Sequence, residues 1–147
     1  MNDDTDLEDA KEEAWCAAER EKVMVYLQTQ NCHHAGVGER PAFHIDPYIA
    51  LWAVQSPTHP GRIGWWALSG DCPTDYMSSA SGYHPRDALR YFSSEWLRAS
   101  DAMKRGESYE GVKIGRPELW PKMAPLLRTR AEILRKYAED DDWWDDA

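Results

Sequence analysis

Residues 47–75, PYIALWAVQSPTHPGRIGWWALSGDCPTD, constrain the fold more than any other part of the chain. Two runs of strand-forming residues, 48–55 and 62–68, are separated by six residues that include two prolines and a glycine, which favour a turn. The pattern predicts a β-hairpin. Because apolar side chains occupy both alternating faces of both runs, we expect this hairpin to be buried on both sides.

Flanking helices are expected to supply that cover. Thr5 and Glu8 fit a capping box, which predicts a helix from there to about residue 30. A second helix is predicted to begin at Pro85 and to carry an apolar stripe. Pro125 predicts a break or kink near residues 123–124, followed by a final helix over residues 125–138. The expected fold class is therefore α+β, a two-stranded antiparallel hairpin covered by three to four α-helices.

The length of the chain predicts one domain, residues 1–147, and the charge distribution gives this domain acidic ends. The formal net charge is −9, yet residues 1–13 carry seven acids and one lysine, and residues 139–147 carry six acids and no base. The rest of the chain is therefore net positive. Negative charge at both ends disfavours nucleic acid, because phosphates are repelled, and favours a basic protein partner.

The cellular location is expected to be the cytoplasm. The N-terminus has no signal-peptide pattern, and no apolar run is long enough to cross a membrane. Three cysteines are too few and too unevenly spaced for a disulfide framework or a paired CxxC zinc site. They are interpreted as thiols in a reducing compartment, and neither a membrane nor a cofactor is expected as a partner.

An irregular stretch before the hairpin holds most of the candidate ligands. Imidazole and carboxylate are both zinc or iron ligands, so a metal site can be drawn from His33, His34, His44 and Asp46. The spacing argues against it, because adjacent histidines usually diverge and no HxxxH helix aligns two imidazoles. Acid/base chemistry could use the same stretch together with Asp71 and Asp75, although acids in turns more often bond nearby backbone amides.

Eight tryptophans are the unusual feature of the composition. Trp52, Trp65 and Trp96 are expected in the core, since a hairpin buried on both faces needs bulky cover. Trp143 and Trp144 lie instead among six acids near the C-terminus. Such a pair either folds back on the body or faces a partner, because tryptophan is favoured at interface hot spots.

Three segments, PAFHIDPYIALWAV, GRIGWWALSGDCPTDY and HPRDALRYFSSEWL, are similar to a family of small uncharacterised bacterial proteins that is classed as a domain of unknown function. The likeness extends over roughly residues 15–138, and the run GWWxxSGDxPTDY is its most specific part. The resemblance implies a bacterial source and one compact domain. It implies no activity and no catalytic residue.

These observations favour a binding protein over an enzyme. The leading hypothesis is an inhibitor or immunity-type protein that blocks a basic toxin or enzyme, with aromatic anchors filling pockets and acids steering association. The residues expected to contact the partner are Trp143, Trp144, Asp140, Asp141 and Asp142, followed by Asp71 and Asp75. The alternative is a small metal-dependent or acid/base enzyme that uses the histidine-bearing stretch.

Overall fold

A computed structural model describes residues 3–45, 47–107, 109 and 117–144, and the chain falls into two compact units, 1–80 and 81–147. The first unit contains helix α1 (Asp3–Thr29) and strands β1 (Gly36–Val37), β2 (Phe43–Ile45), β3 (Ile49–Gln55), β4 (Ile63–Gly70) and β5 (Asp75–Ser78). The second contains helices α2 (Pro85–Lys104) and α3 (Trp120–Glu139). The predicted α+β class is confirmed.

The predicted two-stranded hairpin is only the centre of a larger sheet. β3 and β4 pair antiparallel, but β4 also pairs with β5, and β1 and β2 pair with the other edge of β3. The two-strand prediction was therefore wrong, and the described residues form a five-stranded antiparallel sheet. The three missed strands have only two to four residues each, too few to show the alternation that marks a strand in a sequence.

Both faces of β3 are buried, as expected, and β4 is buried from Trp66 to Ser69, whereas Trp65, which was expected in the core, is only partly buried. Trp52 and Val54 lie on one face of β3, whereas Leu51 lies on the other, and all three have no measurable exposure. On the first face the Trp52 indole N–H donates to the Ser69 hydroxyl of β4 across 3.2 Å, which satisfies a polar group that burial would otherwise leave unpaired.

Helix α1 covers that first face. Its Val23 and Leu27 are fully buried in one cluster with Trp52, Val54 and Ala67 of the sheet. Arg20 fixes the position of the helix, because its guanidinium donates to the carbonyl oxygens of Val37 and Gly38 at 2.8 and 2.9 Å. The guanidinium thus ties α1 to the end of β1.

The second unit is a pair of helices with a continuous apolar seam. Leu89, Phe92 and Trp96 of α2 are buried, as are Leu127 and Leu134 of α3. The Ser93 hydroxyl donates to the carbonyl of Ala131 at 3.0 Å, which places small residues at the contact between the helices.

Of the break or kink predicted near residues 123–124, the break is wrong, because α3 runs through Pro125. The proline lies near the start of the helix, so the acceptor that loses its amide donor is the carbonyl of Pro121 in the first turn. Buried side chains on both sides of the proline, Ala124 and Leu127, favour a continuous helix. None of the described helices combines the length and apolar character needed to cross a membrane.

We expect Gly70→Ala to destabilise the protein more than Gly36→Ala, by about 1–3 kcal/mol in the free energy of unfolding. Both glycines have positive φ, +128° and +147°, so an alanine is strained at either position. A Cβ at Gly70 would also overlap the Tyr48 carbonyl oxygen and lie 2.8 Å from the Ile49 Cα, whereas one at Gly36 meets nothing within 4 Å. Urea denaturation measures both variants, and equal losses would contradict the close packing at Gly70.

Candidate functional site

The segment that follows α3, residues 140–144, folds into a short 3-10 turn (Asp141–Trp143) and is called the C-terminal segment below. Asp140 caps this turn, since its carboxylate accepts from the amide of Asp142 at 3.1 Å. Aspartate is a good cap residue because a short side chain can reach an amide that has no intrahelical partner. The turn therefore follows directly after the end of α3 at Glu139.

Two arginines at the start of α2 bind the end of α3 and the C-terminal segment. The Arg86 guanidinium donates to the Ala138 carbonyl oxygen at 2.6 Å and to the Asp141 carboxylate at 2.5 Å. The first bond places a cation at the C-terminal end of α3, where the helix dipole favours positive charge. One turn further along α2, Arg90 pairs with Glu139 at 3.0 Å. Part of the acidic charge predicted for the C-terminus is thus neutralised within this unit.

The two tryptophans of the segment have different environments. The Trp144 indole N–H donates to the Tyr137 carbonyl oxygen at 3.0 Å, and its ring meets the His84 ring edge-on with centroids 5.8 Å apart. Trp143 contacts the Tyr137 ring edge-on at 5.5 Å and remains 47% exposed. Of the two arrangements considered from the sequence, Trp144 adopts the fold-back, whereas Trp143 contacts Tyr137 and remains about half exposed.

Asp71 and Asp75 belong to the other unit and have backbone roles there. The amide of Asp71, just after β4, donates to the Tyr48 carbonyl oxygen at 2.7 Å. Asp75 opens β5, and its carboxylate accepts from the amide of Tyr76 at 2.8 Å. That Asp71 and Asp75 contact a protein partner stays a prediction.

The histidines expected to share a metal site line different clefts. His33 and His34 lie beside Cys32 along the C-terminal half of α1, in a shallow cleft of about 430 Å³. His44 lines a separate cleft, and Asp46 lies outside the described residues. In the parts of the chain that the structure describes, no three histidine, cysteine or acidic side chains are placed to hold a metal ion.

His44 instead pairs with a carboxylate from the acidic N-terminal region. Its Nε2 lies 2.5 Å from Oε1 of Glu12 in α1, and its ring stacks near Trp15 with centroids 6.5 Å apart. The pair lies in the wall of a cleft of about 500 Å³. The other lining residues are Asp9, Glu13, Cys16, Ala17, Glu39, Arg40 and Pro41.

Sequence reasoning missed this pair because Glu12 and His44 are 32 residues apart and Glu12 belongs to the acidic end over residues 1–13. One signal was present. Glu12 and Trp15 are three residues apart, so they share a helix face, and a large apolar side chain such as Trp15 favours docking of that face. A carboxylate on the docked face of a helix needs a partner, and the histidine of β2 supplies it.

A third group of titratable side chains, Tyr26, Cys32 and Tyr76, packs on the face of the sheet that α1 covers. Tyr26 of α1 meets Tyr76 of β5 edge-on at 5.9 Å. Burial, followed by the negative charge of Asp75, raises the pKa of Tyr26 above its usual value of 10.0. Burial also raises the pKa of the Cys32 thiol. Both pKa shifts favour the neutral forms of these side chains, the phenol of Tyr26 and the thiol of Cys32.

Arg86→Gln should destabilise the protein by about 1.5–3 kcal/mol, because a charged donor to two acceptors is lost. The matched variant Arg90→Gln should cost less than about 1 kcal/mol, since an exposed pair contributes little. The exposed fractions of the two side chains are 11% and 45%. Urea denaturation gives both costs, and amide hydrogen exchange at residues 141–144 reports whether the segment is released. Equal costs would show that Arg86 does not anchor the segment.

Comparison with known proteins adds a family but no activity. No curated protein and no solved structure is similar enough to this chain to match it. The family described as "Domain of unknown function (DUF4826)" matches residues 9–144, which include α1 from residue 9 onward, the whole sheet, both later helices and the C-terminal segment. The resemblance inferred from the GWWxxSGDxPTDY region is thereby confirmed at the level of a family. The chain belongs to the DUF4826 family, a domain of unknown function.

Proposed function

We propose that the protein binds a basic protein partner through its C-terminal segment. The observation that carries the proposal is that Trp143 is held 47% exposed on a segment fixed at both ends, by Arg86 and by the Trp144–Tyr137 hydrogen bond. An exposed indole on an ordered segment costs less entropy to bury at an interface than one on a flexible tail. Tryptophan is also among the residues most enriched at binding hot spots.

The charge around Trp143 supports a basic partner. Asp140, Asp141 and Asp142 are all exposed, and only Asp141 has a cationic partner among the ion pairs of the described residues. Negative charge at the rim of an interface accelerates encounter with a positive surface, and salt weakens the effect.

In its more specific form, the proposal is an inhibitor or immunity-type protein that blocks a toxin or an enzyme by covering a basic site. A cytoplasmic location is part of this proposal. It is supported by the three cysteines, none of which forms a disulfide.

Replacing Asp140, Asp141 and Asp142 by asparagine should weaken binding to the partner about 3- to 100-fold at 50 mM salt, because each exposed charge contributes about 0.2–1 kcal/mol. Asparagine keeps the capping ability of position 140. The partner is captured on the full chain, purified, and titrated by calorimetry at 50 and 300 mM salt. The loss should shrink at the higher salt concentration.

The matched control removes three carboxylates from elsewhere in the same unit, with the changes Asp101→Asn, Glu118→Gln and Glu132→Gln. All three side chains are exposed, and the control removes the same three negative charges from the protein. We expect a smaller loss of affinity from this variant. If both variants lost the same affinity, only the net charge of the protein would matter for binding. If no protein bound to the full chain at 50 mM salt, the proposal itself would be contradicted.

A second candidate function is acid/base catalysis in the cleft beside α1. It is favoured by the 2.5 Å contact between Glu12 and His44 in the wall of a 500 Å³ cleft. A carboxylate that accepts from one imidazole nitrogen fixes the tautomer and orientation of the ring, an arrangement that general bases use. The metal-dependent form of this alternative gains no support from the described side chains.

Under this second hypothesis, His44→Gln should abolish any conversion that the wild-type protein performs. Proton NMR time courses of a cell metabolite extract would detect the consumption of any abundant compound, so the substrate need not be chosen beforehand. His59→Gln is the matched control, because His59 lies in the exposed hairpin turn beside Thr58. If His44→Gln and wild type consumed the same compounds at the same rates, the acid/base hypothesis would fail.

A further inference from the structure

The carboxylates around Trp143 are not equivalent. Glu139 pairs with Arg90, Asp141 pairs with Arg86, and Asp140 accepts from the amide of Asp142. The carboxylate of Asp142, next to Trp143 in the chain, is exposed and has no hydrogen bond or ion pair with any other residue that the structure describes. The residue that precedes the exposed Trp143 in the chain thus carries a carboxylate that no described residue binds.

This combination selects among possible partner side chains. A cation positioned over an indole face is attracted by the quadrupole of the ring, and tryptophan gives the strongest such attraction. A carboxylate beside the ring adds a charge-assisted hydrogen bond. A guanidinium can satisfy both at once, since it is planar, weakly hydrated and able to stack while its edge donates to the carboxylate. An ammonium can do so less well, because it is compact and strongly hydrated.

We propose that Trp143 and Asp142 receive an arginine side chain of the protein partner, with the guanidinium stacked on the indole and paired with the carboxylate. This inference rests on the proposed function and names its recognition chemistry. Apolar anchoring of Trp143 in a hydrophobic pocket is the competing arrangement, and it predicts no preference between arginine and lysine. The neighbouring contacts of Tyr137, Arg86 and Trp144 keep the segment in place without occupying the Asp142 carboxylate.

The test uses two defined probes, a decaarginine and a decalysine peptide, titrated by calorimetry into the full-length protein at 50 mM salt. Wild type should bind decaarginine more tightly than decalysine. Trp143→Leu should weaken decaarginine binding by about 2- to 30-fold, which corresponds to cation–π attraction, and should reduce the preference for arginine. Trp143→Phe should retain part of the affinity. Asp142→Asn should also weaken decaarginine binding, more at low than at high salt.

Tyr91→Leu serves as the control, because it removes another exposed aromatic ring from the same unit. It should leave both affinities unchanged, and circular dichroism should show that every variant is folded. In NMR spectra the indole N–H signal of Trp143 should shift on addition of decaarginine.

The proposal is overturned if Trp143→Leu weakens both peptides by the same factor or weakens neither. In that event the variant lacking the carboxylates of Asp140, Asp141 and Asp142 shows whether only the arginine site is wrong or the proposed function is wrong as well. If this variant loses affinity for the captured partner while the arginine preference is absent, the proposed function stands without its arginine site. If it loses none, the proposed function fails as well.

Discussion

The burial of β3 on both faces and along both edges is the constraint on which the first unit depends. Its side chains alternate between two buried faces, and its backbone pairs with β4 on one edge and with β1 and β2 on the other. Because water does not reach the buried polar groups of such a strand, each of them needs a hydrogen-bond partner within the protein. The Trp52 indole therefore needs an acceptor within the core, which Ser69 provides, and the helix above it needs a fixed position, which Arg20 provides.

The sequence predicted the elements that bury much apolar area and missed those that bury little. Residues 48–55 and 62–68 have continuous apolar runs, so β3 and β4 were found to within two residues. β1, β2 and β5 were missed because their pairing depends on contacts with a distant strand rather than on their own pattern. The continuation of α3 through Pro125 was missed for a similar reason, since tertiary burial outweighed local propensity.

The candidate sites also divide into one that the sequence pattern revealed and one that depends on contacts between distant residues. The C-terminal tryptophans and acids were identified from composition, because an aromatic pair within a run of carboxylates is conspicuous in any sequence. The Glu12–His44 pair was not, because sequence spacing cannot reveal that a helix lies over a particular strand. The two acidic ends, which looked alike in composition, thus differ in structure. Asp9, Glu12 and Glu13 of the first line a cleft, whereas Glu139 and Asp141 of the second pair with arginines.

The Arg86 guanidinium has a consequence for how α3 ends. It binds both the carbonyl of Ala138 and the carboxylate of Asp141. The same side chain therefore contacts the end of α3 and the turn that carries Trp143. If α3 were extended by another turn, the Ala138 carbonyl would accept from a backbone amide, and residues 140–144 would rotate onto the helix surface. The exposure of the indole is therefore governed by a competition between an arginine and the backbone for one oxygen atom.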